Sequence, residues 1–151
     1  MRTYLVVMDG TEEAQAALRY AARRAARTGG SVDIVALVPP QEFVQWGGVQ
    51  AAMEEEARLR AEAMVLQASG AIVEEAGIKP SILVREGDAV KVVGELLKER
   101  DDIASLVLGA AAEGGPGPLV SHFAGATAGT LQCPLVIVPG SLSDEALDRL
   151  G

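Results

Sequence analysis

Short apolar runs alternate along the chain with longer segments that have helical spacing. The apolar runs at residues 4–8, 32–38, 81–84, 104–108 and 135–138 predict five β-strands. The segments at residues 12–28, 49–76, 88–100 and 119–130 predict four α-helices. Runs such as YLVVM and SLVLG have no polar alternation, which is typical of parallel strands covered on both faces. The pattern predicts a doubly wound α/β fold with a parallel sheet and helices on both faces.

The predicted helix boundaries have chemical support. Thr11 and the glutamates after it are typical of a helix start, and Gly29-Gly30 can end that helix. Gly77 with Pro80 can end the second one. No repeat or linker divides the chain, so we expect one domain over residues 1–140 and a C-terminal tail over residues 141–151.

The longest predicted connection is PPQEFVQWGGVQ, which contains two of the few aromatic residues, Phe43 and Trp46. Two interpretations are open. These side chains cover a cleft or a partner, or they simply pack under their own loop.

Composition and charge exclude or disfavour several classes of function. The 151 residues carry 13 Lys and Arg against 21 Asp and Glu, a net charge of -8, which disfavours nucleic acid and anionic membranes as partners. The apolar run at the start of the chain is too short for the core of a signal peptide. No apolar run in the sequence reaches membrane-spanning length. One cysteine, Cys133, excludes an internal disulfide, and one histidine leaves no Cys/His cluster for zinc. We expect a cytoplasmic protein with no metal site.

Two predicted strand-end loops are candidates for a ligand site. In open α/β sheets, ligands bind beyond the carboxyl ends of the strands where the winding reverses, which here means MDGTEEA and GAAAEGGPGPLVS. Asp9 in the first loop either accepts hydrogen bonds from ribose hydroxyls or serves the turn. In the second loop, Gly114, Gly115 and Gly117 either expose N–H groups to a phosphate at the following helix start or merely turn the chain.

Nearly the whole chain resembles the universal stress protein (UspA-like) family. The resemblance rests on LVVMDGTEEAQAALRYA, ALVPP, VREGDAVKVVGELLKE, SLVLGA and CPLVIVPG. It implies a five-stranded parallel sheet in the order 3-2-1-4-5 and frequent homodimers through the last strand. In one branch of the family it also implies ATP bound between the ends of the first and fourth strands, with a G-x-x-G, nine residues, then G-[ST] pattern.

The resemblance assigns candidate nucleotide-binding residues. Asp9 matches the family's aspartate near ribose and adenine, Leu37 its adenine-contacting strand end, and Gly109 its first glycine. Further along, the sequence departs from the pattern, because Ala112 stands at the second glycine and Ser121-His122 at the terminal G-[ST]. We retain as candidates Asp9, Leu37, Gly109, Ala112, Gly115, Gly117, Ser121 and His122.

Catalytic signatures are missing from the sequence. It contains no G-x-S-x-G elbow and no Walker-type phosphate loop, and His122 has no evident nucleophile partner. Cys133 is most simply a small apolar residue. The leading interpretation is a non-catalytic, regulatory universal stress protein that binds ATP, with Mg²⁺, or AMP. The alternative is a nucleotide-free dimeric interaction protein of the same fold, and a slow ATP hydrolase would need metal ligands not evident beyond Asp9.

Overall fold

The computed structural model describes residues 2–38 and 48–151. The five strands are β1 (Thr3–Met8), β2 (Ser31–Val38), β3 (Ser81–Glu86), β4 (Ile103–Ala110) and β5 (Leu135–Pro139). The helices are α1 (Glu12–Thr28), α2 (Gly48–Ala76), α3 (Ala89–Glu99), α4 (Pro118–Phe123) and α5 (Asp144–Leu150), with one 3₁₀ turn at Ala128–Thr130. Phe43 and Trp46, with both interpretations of their loop, lie outside the described residues.

The strands pair in parallel in the order β3-β2-β1-β4-β5. The central strand β1 is buried along its whole length, and its Val6 lies level with Ile34 on one side and Val107 on the other. The predicted doubly wound fold and the strand order implied by the family resemblance are both confirmed. The direction of winding reverses between β1 and β4, so the switch point lies where those two strands end.

Alternate residues of β1 belong to two separate apolar layers. Tyr4, Val6 and Met8 pack with α1, α2 and α5 on one face of the sheet. Leu5 and Val7 pack with α3 and α4 on the other. A strand covered on both faces needs apolar residues at every position, which explains the unbroken apolar runs in the sequence.

Helix α1 begins and ends where its capping residues predict. The Thr11 hydroxyl accepts a hydrogen bond from the Ala14 backbone N–H at 3.3 Å, which satisfies one of the free amides of the first turn. Gly29 follows the last residue with a φ of 67°, the left-handed conformation in which glycine carries no steric penalty. The face toward the sheet is mostly alanine, so the helix can approach the strands closely.

The predicted helix over residues 119–130 is wrong in its length. Helix α4 ends at Phe123, and the chain continues through turns into the 3₁₀ turn. The segment AGATAGT that follows has two glycines and two β-branched threonines, which are poor helix formers, and no large apolar residue to anchor it to the sheet.

Helix α5 lies within residues 141–151 and is attached to α1 by ion pairs. Arg19 donates to both carboxylate oxygens of Asp148, at 2.8 and 2.9 Å, and Arg23 donates to the same carboxylate at 3.0 Å. Both arginines also reach Glu75 on α2, at 2.9 and 3.4 Å. Two arginines of α1 therefore connect the helices on either side of it.

Replacing Asp148 by asparagine should weaken the fold at neutral pH. Hydrogen bonds from Arg19, followed by those from Arg23, hold the pKa of Asp148 below its ordinary value of 3.8. A carboxyl whose pKa is lowered by folding contributes stability above its unfolded pKa, and this contribution is lost as the pH falls through its folded pKa. We expect a loss of about 0.5–1 kcal/mol at pH 7 that shrinks below about pH 4.

Urea unfolding of both proteins at pH 7 and at pH 3 measures this difference. Asp101→Asn, the same change at an exposed residue, serves as the control and should have no effect at either pH. An equal loss at both pH values would show that the asparagine acts through packing rather than through charge.

Candidate functional site

A cleft lies at the switch point, beyond the carboxyl ends of β1 and β4. Its cavity volume is about 160 Å³. The described residues that line it come from the ends of β1, β2 and β4 and from the starts of α1, α3 and α4: Val7, Asp9, Thr11, Glu13, Ala14, Leu37, Ala89, Leu108, Gly109, Pro116, Gly117, Pro118, Leu119 and Val120. The parallel topology explains this convergence, because the carboxyl ends of all five strands lie at one edge of the sheet.

Asp9 is exposed at the rim of the cleft and is held by its own turn. Its Oδ1 atom accepts hydrogen bonds from the Thr11 backbone N–H at 3.3 Å and from the Thr11 hydroxyl at 2.6 Å. This is the Asx-turn arrangement, so the turn-forming interpretation of Asp9 is realised in the structure. Both of these bonds use Oδ1, so neither of them occupies the second carboxylate oxygen of this exposed residue.

The floor of the cleft is apolar. Val7 and Leu108 are almost completely buried, and Leu37 packs against the same apolar layer. Leu119 and Val120 add the wall on the side of α4. An apolar floor with one carboxylate at its rim suits a ligand that has a flat apolar part and a hydroxylated part.

Gly109 is a glycine for a steric reason. A β-carbon at this position would lie 2.0 Å from the carbonyl oxygen of Glu13 on α1. Gly140 is similar, since its β-carbon would lie 2.8 Å from the Ala110 carbonyl oxygen and 3.1 Å from Cβ of Glu13. Both glycines let the first turn of α1 approach the ends of β4 and β5, and this approach forms one wall of the cleft.

The glycine-rich loop after β4 requires glycine for its backbone conformation. Gly114, Gly115 and Gly117 have φ values of 77°, 92° and 98°, and added β-carbons would meet no atom within 4 Å. The Ala111 N–H donates to the Pro116 carbonyl at 3.5 Å, which closes the loop on itself. An alanine at any of the three positions would cost roughly 1–2 kcal/mol, so they turn the chain whether or not a phosphate binds there.

The structure brings together four of the eight predicted site residues. Asp9, Leu37, Gly109 and Gly117 line the cleft. Among the described residues of its lining, Ala112, Gly115, Ser121 and His122 do not occur.

Residues 121 and 122 lie on the exposed side of the short helix α4. The Ser121 N–H donates to the Gly117 carbonyl at 3.0 Å, and the imidazole of His122 packs edge-to-face on Phe123 at a centroid distance of 4.9 Å. Helix α4 has six residues and starts with Pro118, which lacks an N–H, so its N-terminus is a weak attraction for an anion.

Sequence reasoning missed the contribution of α3 to the cleft and did not single out individual residues at the start of α1. Glu13 and Ala14 line it and belong to the candidate segment MDGTEEA, and Ala89 lines it from the start of α3. For Glu13 and Ala14 the available signal was position, because α1 starts directly after β1, which ends at the switch point. Helix α3 follows the edge strand β3, so position gave no such signal for Ala89. Glu13 matters most, since it is the second acidic residue of the lining after Asp9.

Further described residues carry little chemistry of their own. No group of three His, Cys, Asp or Glu side chains that could hold a metal ion occurs in the described ranges. Burial raises the pKa of the Cys133 thiol, which packs against the layer beneath α3 and α4. Among the described helices, none has the length and apolar character needed to cross a membrane.

Fold and cleft together define a doubly wound α/β protein with a cleft at its topological switch point. The model of the universal stress protein family matches residues 1–139 of the chain. The chain therefore belongs to the universal stress protein family, as its sequence motifs indicate. No curated protein sequence matches it significantly.

Several solved structures similar to this chain are universal stress proteins. UspA from Lactobacillus plantarum is 17% identical with a TM-score of 0.68, over 91% of this chain and 97% of that one. A universal stress protein in complex with cAMP is 20% identical with a TM-score of 0.61, over 93% and 98%. A family member from Arabidopsis thaliana with AMP bound is 14% identical with a TM-score of 0.54, over 96% and 95%. At these sequence identities the structural similarity establishes the fold alone.

Replacing Gly109 by alanine should destabilise the protein in the absence of any ligand. The new methyl group would overlap the Glu13 carbonyl, and overpacking of this kind costs about 3 kcal/mol. Gly94→Ala is the matched control, because Gly94 lies inside α3 with no atom within 4 Å of an added β-carbon. It should gain about 0.5–1 kcal/mol from helix propensity. Urea unfolding measures both, and a Gly109→Ala protein as stable as the wild type would contradict the close approach.

Proposed function

We propose that the chain binds an adenine nucleotide in the cleft at the switch point and that occupancy serves a regulatory, non-catalytic role. The observation that carries the proposal is that Asp9 and Leu37 line the same cleft, together with the apolar residues Val7 and Leu108. Membership of the universal stress protein family supports it, as do the similar structures that contain cAMP and AMP. The single cysteine, typical of chains in a reducing compartment, supports a cytoplasmic location.

The proposed orientation follows from the chemistry of the walls. The adenine lies over the apolar floor toward Leu37, and the ribose hydroxyls donate to the free oxygen of Asp9. The phosphate lies toward Gly117, at the entrance to α4. A carboxylate that accepts hydrogen bonds from hydroxyls provides charge-assisted contacts, which are stronger than neutral ones.

The charge of the cleft favours AMP over ATP. Its described lining contains the two carboxylates Asp9 and Glu13 and no lysine or arginine. A triphosphate would bring several negative charges near these groups without a cation to balance them, whereas a monophosphate brings fewer. ATP would therefore depend on Mg²⁺ more strongly than AMP, and we propose AMP as the preferred ligand.

A regulatory role is favoured by the polar groups that the cleft offers. Apart from Asp9 and Glu13, the described lining provides one further polar side chain, the hydroxyl of Thr11, which is already bonded to Asp9. Hydrolysis would require a positioned water and stabilisation of the charge that develops on the phosphate. The arrangement suits binding and release better than turnover.

Removing the Asp9 carboxylate should weaken AMP binding. Asp9→Ala deletes the acceptor for the ribose hydroxyls, and we expect affinity to fall by about 1.5–3 kcal/mol, or roughly 10- to 150-fold. Asp101→Ala removes the same charge beyond the opposite end of the sheet and should bind AMP as the wild type does. Calorimetric titration measures both, and an unchanged affinity in folded Asp9→Ala would assign Asp9 to the turn alone.

Thermal shifts of the wild type test the proposal as a whole. A ligand well above its dissociation constant must stabilise the folded state that binds it. Millimolar AMP should raise the melting temperature, and ATP should do so more with Mg²⁺ than without. No shift with AMP, ADP or ATP under either condition would contradict nucleotide binding.

The second candidate function is a nucleotide-free interaction protein of the same fold. The specific observation that favours it is the loop of Gly114, Gly115 and Gly117, whose positive φ values explain its glycines without any ligand. The exclusion of Ala112, Ser121 and His122 from the described cleft lining agrees with this candidate. The thermal-shift outcome just described distinguishes the two functions.

For either function we propose a homodimer through β5. This strand forms one edge of the sheet, and its Ile137 is 40% exposed. A shallow apolar groove runs beside it, lined in part by Tyr20, Leu142 and Leu150. An apolar edge strand left open would pair with other chains unless it is covered.

Placing a charge on this edge should break the β5 contact and lower the mass of the assembly. Ile137→Lys would bury an ammonium group against its symmetry mate, so we expect the β5 contact to be lost at micromolar concentration. Gln132→Lys, an exposed position before β5, is the control and should keep the wild-type mass. Light scattering measures the mass, and an assembly that Ile137→Lys leaves unchanged would contradict this interface.

A further inference from the structure

The outer face of α2 carries large apolar side chains that the described part of the chain does not cover. Leu59 is 54% exposed and Leu66 is 56% exposed, and Val73 is partly exposed two turns further on. The three residues are seven positions apart, so they lie in one row along the helix. Isolated exposed leucines are ordinary, but a row of them on one helix face marks an interaction surface.

Small residues alternate with the large ones in this row. Ala63 and Gly70 fall between them, at alternating spacings of four and three residues. This is the heptad spacing by which two helices pack along a seam. We call Leu59, Ala63, Leu66, Gly70 and Val73 the α2 stripe. Helix α2 packs on the sheet through its other face, which contains the buried residues Ala57, Ala61 and Val65.

Gly70 is an independent sign that something packs against the stripe. Glycine inside a helix costs about 0.5–1 kcal/mol relative to alanine. Its φ is not positive, and an added β-carbon would meet no described atom of the chain within 4 Å. Neither backbone conformation nor packing within the described part of the chain explains a glycine at this position, six residues before the end of a 29-residue helix. A large side chain seated against this position from outside would explain it.

We propose that the α2 stripe binds the α2 stripe of a second copy of this chain in an antiparallel arrangement. With the two-fold axis level with Ala68, Leu66 packs on the partner's Gly70. Val73 then packs on the partner's Ala63. At the ends of the seam, Leu59 meets the partner's Gly77, directly after the end of α2. Each layer therefore joins a large residue to a small one, which fills space without voids.

Charge complementarity favours the same register. In antiparallel pairs, residues that flank the seam on the same side face each other, and this register brings Arg60 opposite the partner's Glu74. In the described part of one chain, Arg60 forms an ion pair with Glu56 at 3.0 Å, whose side chains are 73% and 71% exposed, so the pair is weak. No lysine or arginine of the described chain lies within ion-pair distance of Glu74. The two-fold symmetry makes two intermolecular ion pairs from these groups.

The sequence disfavours the parallel alternative. In a parallel pair in register, Leu66 would face the partner's Leu66 and Gly70 would face the partner's Gly70. Crowded layers of two large residues would then alternate with layers that leave empty space. It would also bring Glu56 against the partner's Glu56 at a seam position, and like charges there repel. The antiparallel register instead places Glu56 beyond the end of the partner's helix.

A charged substitution in the stripe tests the proposal independently of the β5 contact and of nucleotide binding. In an Ile137→Lys background without nucleotide, we expect sedimentation to give a dimer held by α2. Adding Leu66→Lys should then give a monomer, since each lysine would face the partner's seam. Ala71→Lys is the matched control, because Ala71 is exposed on α2 but lies outside the stripe. It should remain a dimer.

Charge reversal tests the register itself. Arg60→Glu and Glu74→Arg should each weaken the dimer about fivefold or more, because each creates like-charge contacts across the seam. The double variant restores opposite charges and should recover the wild-type dissociation constant. A monomeric Ile137→Lys protein, or a dimer indifferent to Leu66→Lys, overturns the proposal. Additive losses in the double variant overturn the antiparallel register.

Discussion

The close approach of helix α1 to the ends of β4 and β5 is the constraint on which the site depends. Gly109 and Gly140 leave out the side chains that would collide with Glu13, and the alanine face of the helix continues this contact along the sheet. With a larger residue at Gly109, the first turn of α1 would have to move outward. The wall formed by Glu13 and Ala14 would then move away from Asp9, so the shape of the cleft is set by backbone packing rather than by its polar side chains.

Much of the fold could be predicted because its signals are local or periodic. Unbroken apolar runs identified strands covered on both faces, and Thr11 and Gly29 identified the ends of α1 by capping chemistry. Helix α5 escaped prediction because its seven residues bury little beyond Leu147. Its start does carry a sequence signal, since Ser143 accepts a hydrogen bond from the Ala146 N–H. Its attachment depends on contacts between Arg19 and Asp148, which are far apart in sequence.

Part of the candidate site could be predicted from the sequence, because the fold topology determines where strand ends lie but not the path of a loop. Asp9, Leu37 and Gly109 end parallel strands, and the topology alone brings such positions together. Ala112 and Gly115 lie in a loop whose path is determined by positive φ angles, which an alignment by sequence spacing does not describe. The same alignment could not show that Gly109 is also required for packing, because a steric need for glycine and a ligand's need for glycine look identical in sequence.

The two arginines of α1 have a mechanical consequence. The first turn of α1 forms a wall of the cleft, while Arg19 and Arg23 further along hold Glu75 of α2 and Asp148 of α5. One stiff helix thus touches the ligand cleft and both helices that carry exposed apolar surface. If a ligand shifts this helix, the shift is transmitted to both surfaces, and thermodynamic reciprocity requires that assembly change the affinity for the ligand by the same factor. Helix α1 would then be the element that couples occupancy of the cleft to self-association.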